Sequence, residues 1–120
     1  HHLKPGGKLL LDVFSMTKFY DFKEQQTWEI CHNGGFWRPD EYMALKGFYK
    51  YSDNVTLELI SIISKDEITP YYLWNTYFSK ETLVQEAERI GFKVCGIFGD
   101  VAGSIYQAKS DTIAILLERQ

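Results

Sequence analysis

From Tyr42 to Phe78 apolar and polar positions recur with a period of two, the pattern of strands whose successive side chains point to opposite faces. Val55 to Ile63 is β-branched and mostly alternating, which predicts a strand. Lys46 to Tyr51 before it and Ile68 to Tyr77 after it read the same way, with Pro70 near the start of the later strand or at a bulge. Ser52-Asp53-Asn54 and Ser64-Lys65-Asp66-Glu67 are turns of hairpin length, so the segment is an antiparallel meander. Upstream, Thr27 to His32 is strand-like and closes on Asn33-Gly34-Gly35, a strong turn signal. Phe36-Trp37-Arg38-Pro39 follows, with Pro39 favouring an extended Arg38. Residues 15–26 are polar and aromatic and read as a loop or short helix.

The two ends carry another pattern. Lys8 to Phe14 is almost continuously apolar over strand length, as expected of a strand buried on both faces in the centre of a parallel sheet. A parallel sheet needs further strands and crossover helices. None precede this run, a sign that something upstream is missing. Ser79 caps a predicted helix over Lys80 to Ile90, with Leu83, Val84, Ala87 and Ile90 on its apolar face, Glu81 in its first turn and Gly91 as its stop. Phe92 to Phe98 is a strand, residues 99–110 a loop, and Asp111 to Arg119 a final buried strand. There is no internal repeat, low-complexity segment or long linker. The expected fold is α/β, or α+β as an isolated fragment. One domain holds a partial sheet (1–15 and 78–120) with one main helix, and the meander (27–77) lies beside it.

The chain has 120 residues, enough for one compact domain with a core of its own. Its aromatic fraction of 16% is high; the rings either line a pocket or interface, or simply make an aromatic core. The net charge is −3 and Lys and Arg are scattered. Without a basic stripe to neutralise phosphates, nucleic-acid binding is excluded as the main role. No apolar run approaches the ~20 residues of a membrane span, and His1-His2-Leu3-Lys4-Pro5 is not a signal peptide. Cys31 and Cys95 lack partners at metal-ligand spacing and read as buried free thiols of a cytoplasmic protein. The three His residues show no helical pairing, so no zinc site is expected.

Leu3-Lys4-Pro5-Gly6-Gly7-Lys8-Leu9-Leu10-Leu11-Asp12 resembles the turn and fifth strand of Rossmann-like S-adenosylmethionine-dependent methyltransferases. Phe78-Ser79 through Gly91-Phe92-Lys93-Val94 is similar to that family's late helix, and Asp111 to Arg119 to its antiparallel seventh strand. Residues 27–77 resemble the antiparallel insertion that some bacterial members carry over the active site; Trp28, Trp37, Tyr71, Tyr72 and Trp74 fall within it. The resemblance implies a final strand lying between the first and the penultimate one. It also implies a small-molecule methyl acceptor. The family's glycine-rich cofactor loop and its acidic ribose-binding residue are absent, so S-adenosylmethionine is the cofactor of the parent enzyme and is not expected to bind this fragment. The first strand would pair with a missing neighbour. Its bare apolar edge predicts a homodimer. Two rival readings need no catalysis: a stand-alone ligand-binding module, or an oligomerisation domain.

Methyl transfer from a sulfonium needs alignment and exclusion of water rather than a metal or a covalent residue. Asp12, Phe14 and Ser15 lie at the C-terminal end of the first strand, where open α/β sheets bind ligands; Asp12 either positions an acceptor or caps the following turn. Trp37, Arg38 and His32 flank the glycine turn. Arg38 either pairs with a substrate carboxylate or is a solvated hairpin residue, and His32 is either a base or a surface residue. Tyr72 and Trp74 share one strand face, Tyr71 and Tyr77 the other, and either face meets a substrate or packs. Asp100, beside Gly99 and Gly103, is a pocket candidate or turn chemistry.

Overall fold

The computed structural model describes residues 3–120, and the His1-His2 pair lies outside the described residues. In chain order the elements are β1 (Lys8–Ser15), α1 (Met16–Asp21), β2 (Gln25–Cys31), β3 (Tyr42–Tyr51), β4 (Val55–Ile63), β5 (Ile68–Phe78), α2 (Lys80–Arg89), β6 (Phe92–Phe98) and β7 (Thr112–Arg119). They fall into two compact units. One takes the residues up to Asp21 and from Tyr77 onward, the other Phe22–Thr76.

In the first unit β7 runs antiparallel between β1 and β6, the position the resemblance implies. The end of β5 adds two parallel pairs to β1, Phe14 with Tyr77 and Ser15 with Phe78. Strand alternation sends Ile113, Ile115 and Leu117 to one face, where they pack with Leu83 and Ala87 of α2 and with Leu11 and Val13 of β1. The helix starts where the sequence says it should. The Ser79 hydroxyl accepts from the Thr82 N–H at 3.1 Å, and the Thr82 hydroxyl accepts from the Ser79 N–H at 3.0 Å. This reciprocal cap satisfies two otherwise orphaned donors and contributes about 1 kcal/mol. Gly91, with φ +96°, ends the helix in the left-handed region.

Two expectations for this unit fail. β1 is not buried on both faces: Leu9 and Leu10 are exposed. Its apolar run has a covered side only where Leu11 and Val13 meet the α2 core, and Lys8–Val13 have no strand partner beyond β7 among the described residues. Cys95 is exposed on β6 rather than buried, whereas Cys31 is partly buried; both thiols are free.

The second unit is the expected antiparallel meander, β2-β3-β4-β5. Asp53 and Asn54 take positive φ in the β3–β4 turn, a conformation such side chains tolerate. β3 begins at Tyr42, earlier than the Lys46 start read from the pattern, because β2 and β4 both offer it partners there: Tyr42 pairs with Cys31 and Met43 with Ile63. One face is closed. Tyr42, Ala44, Ile60 and Ile62 form a core, and the loop of residues 32–41 brings Trp37 onto it. Among the described residues no helix is long and apolar enough to cross a membrane.

Candidate functional site

The other face of the meander is open and aromatic. Period two puts Trp28, Leu45, Tyr51, Tyr72 and Trp74 on it together. Trp28, Tyr72 and Trp74 are 67%, 59% and 58% exposed. A contiguous apolar patch of this kind marks a binding surface more often than scattered surface residues do. Register aligns the residues in rows across the strands. Gln26, Gly47, Leu59 and Tyr72 make one row, and Trp28, Leu45, Ser61 and Pro70 the next.

Within these rows lies a cavity of about 440 Å³, walled by Gln26, Trp28, Leu45, Tyr49, Leu59 and Ser61. Gly47 shapes it. A Cβ at Gly47 would stand 2.5 Å from the Tyr49 hydroxyl oxygen and 2.7 Å from the ring, so the Tyr49 side chain folds back over the glycine. The glycine leaves a flat backbone floor, and the tyrosine becomes a wall. The side-chain hydrogen-bonding groups of Gln26, Trp28, Tyr49 and Ser61 have no protein partner among the described residues. Lys46, between two cavity residues on β3, turns its side chain to the opposite face, where Glu29 holds it at 3.2 Å.

The residues singled out from the sequence do not form one cluster. Tyr72 and Trp74 belong to the open face, where Trp74 meets Tyr51 with ring centroids 5.6 Å apart. Trp37 is on the closed face, its ring tilted against that of Tyr71 with centroids 4.5 Å apart. Arg38 is engaged by the protein's own carboxylates: it donates to Asp40 at 3.0 and 3.2 Å and to Glu67 at 2.9 Å. These hydrogen bonds, Asp40's first, raise its pKa, and that of Asp40 is lowered in turn. An incoming carboxylate would have to displace them. His32 lies 2.7 Å from Glu41, both side chains largely exposed.

In the first unit, Asp12 sits opposite Ala114 on β1 with its side chain exposed. Phe14 is partly buried, stacks on Tyr77 at 5.7 Å and carries the Lys18 ammonium 4.3 Å above its ring. The Asp100 carboxylate accepts from the N–H groups of Ala102 and Ser104 at 3.0 and 3.2 Å. Ser104 chiefly depresses its pKa, and the residue caps its own loop. The cavity residues Gln26, Leu45, Tyr49 and Ser61 were not marked by the sequence reading. A signal existed: a glycine inside a strand with an aromatic residue two positions on, Gly47 and Tyr49, betrays a close approach to the backbone.

No protein-family model matches the chain, and no curated protein matches it. Solved structures do. An S-adenosylmethionine-dependent methyltransferase from Clostridium acetobutylicum aligns over 98% of this chain with a TM-score of 0.73 and 13% identity. The CcbJ methyltransferase from Streptomyces caelestis aligns over 98% with a TM-score of 0.67 and 13% identity. The fold is methyltransferase-like. The chain spans less than half of these neighbours' length, 46% and 45% respectively, and at this identity the likeness is one of fold.

At the start of α2 the Thr82 N–H is taken by the Ser79 cap, and the chain enters that helix through Phe78-Ser79 with no glycine-lined approach.

Proposed function

We propose that this chain is the acceptor-side, C-terminal part of a bacterial-type S-adenosylmethionine-dependent methyltransferase acting on a small molecule. The observation that carries this is the asymmetry of the structural likeness: nearly all of this chain aligns with less than half of a methyltransferase. In this reading β1, β7, β6 and α2 are the remnant of the Rossmann-like sheet, β2–β5 are the insertion, and the cofactor site lies on a preceding segment. The open aromatic face then holds and orients the acceptor and keeps water from it, which a direct displacement requires. Alone, the fragment is inactive.

Calorimetry tests the assignment. S-adenosylmethionine titrated into the 120-residue chain should give no saturable heat. A chain extended upstream to include a glycine-rich loop, roughly one hundred residues earlier, should bind at one site. A one-site signal from the 120-residue chain alone would overturn the assignment. The same reading places the enzyme in the cytoplasm and makes the 120-residue chain alone a homodimer through the β1 edge, because Lys8–Val13 leave backbone groups without a strand partner among the described residues. Size exclusion with light scattering should report twice the chain mass; a clean monomer at high concentration would remove the dimer from the proposal.

A further inference from the structure

The cavity on the open face of the meander specifies a class of ligand. We propose that it binds a flat, neutral aromatic molecule carrying a hydroxyl or similar hydrogen-bonding group, and that this molecule is the methyl acceptor. The second half of that statement rests on the methyltransferase reading; the first does not.

Shape comes first. At about 440 Å³ the cavity falls within the range of small-molecule sites. Its floor between β2 and β4 is the bare backbone of Gly47, and an aromatic side chain stands on either side, Trp28 from β2 and Tyr49 from β3. A planar ring can lie on such a floor with its face or edge to both neighbours, the geometry that aromatic pairs favour. A puckered aliphatic ring of the same size would touch each wall less.

Charge decides the next point. The side chains that wall the cavity from the open face, Gln26, Trp28, Leu45, Tyr49, Leu59 and Ser61, are all uncharged, and register turns the Lys46–Glu29 pair to the opposite face of the sheet. A carboxylate, phosphate or ammonium would give up water here and meet no opposite charge. A neutral ligand does not bear that cost. Polarity decides the last. Gln26 and Ser61 border the cavity with amide and hydroxyl groups that have no protein partner among the described residues. They can donate to or accept from one polar group on the ligand, and so fix which edge of the ring points inward.

Three probes of one size separate these terms: 2-naphthol (flat, neutral, hydroxylated), 2-naphthoate (flat, anionic) and decahydro-2-naphthol (neutral, not flat). Each is titrated into the 15N-labelled 120-residue chain. Saturable shifts from 2-naphthol are expected at the Gly47, Leu59 and Ser61 amides and the Trp28 indole N–H, half-complete at about 1 mM or lower. The other two probes should bind at least about tenfold more weakly. Trp28→Ala should cost about tenfold with the rest of the spectrum unchanged, and Ser61→Ala a smaller factor. Shifts centred elsewhere, equal binding of 2-naphthoate, or no saturation would overturn the proposal. So would shifts that follow protein concentration and ignore the probe, since a second copy would then cover the face. If 2-naphthol binds as described but the upstream-extended enzyme methylates nothing, the methyltransferase reading fails and the site stands. If the extended enzyme methylates an aliphatic or charged acceptor and 2-naphthol does not bind, the site assignment fails alone.

Discussion

Replacing Ile115 by Ala should destabilise the unit built on β1, β6, β7 and α2 by about 4 kcal/mol, within the range for deleting a buried Ile side chain. Ile115 has no exposed surface and lies mid-strand, paired with Leu11 on one side and Ile97 on the other, beneath Leu83 and Ala87. Strands on both sides and a helix above leave little freedom to collapse into the void, so the cavity term adds to the transfer term. Against a domain stability of about 5–15 kcal/mol, that loss is a large fraction. Urea denaturation checks it, as a lower midpoint at unchanged slope. Leu116→Ala is the control, because Leu116 is the next residue on the opposite face and only partly buried. Its cost should be about half or less. Equal costs for the two would mean that α2 does not cover this face.

Gly34→Ala should cost about 2 kcal/mol or more and disorganise the closed face of the meander. Gly34 has φ +83°, a conformation costing an Ala roughly 1–2 kcal/mol. The added Cβ would also stand 2.3 Å from the Pro39 carbonyl oxygen and 2.6 Å from its carbon. Those are backbone atoms, so the loop of residues 32–41 must move. That loop carries Trp37 onto Tyr42 and Tyr71, and Gly35 donates across it to the Arg38 carbonyl at 2.9 Å. The near-UV circular dichroism of the Trp37–Tyr71 pair should collapse along with the stability. Gly103→Ala separates the two causes. Gly103 also has positive φ, +94°, but a Cβ there meets nothing within 4 Å. It should show the backbone cost alone, about 1 kcal/mol. If Gly34→Ala costs no more than Gly103→Ala, the close approach to Pro39 is not real.

Both variants act where local chemistry and tertiary contact meet, and that boundary also separates what was legible beforehand. The β4 strand was readable to its ends because Val55–Ile63 alternates between two turns that supply their own chemistry. The start of α2 was readable because a capping hydroxyl acts on amides only three residues away. The cavity was not. Trp28, Leu45 and Ser61 are neighbours only through strand register, and no local pattern states a register.

By itself the sequence determined the strands, the helix, the turns between them and the resemblance of both ends to a methyltransferase sheet. Each depends on interactions spanning a few residues or on an order of segments along the chain. Only the tertiary structure decided which faces are covered. Leu59 and Ile63 are as apolar as Ile60 and Ile62, so alternation marks two faces without choosing between them. The choice fell to the loop of residues 32–41, which laid Trp37 over Ile60 and Ile62 and left Trp28, Tyr72 and Trp74 open. The same holds for β1, where an apolar run promised two buried faces and α2 supplied cover for part of one. Burial is a property of what arrives from elsewhere in the chain, and a strand's own residues do not encode it.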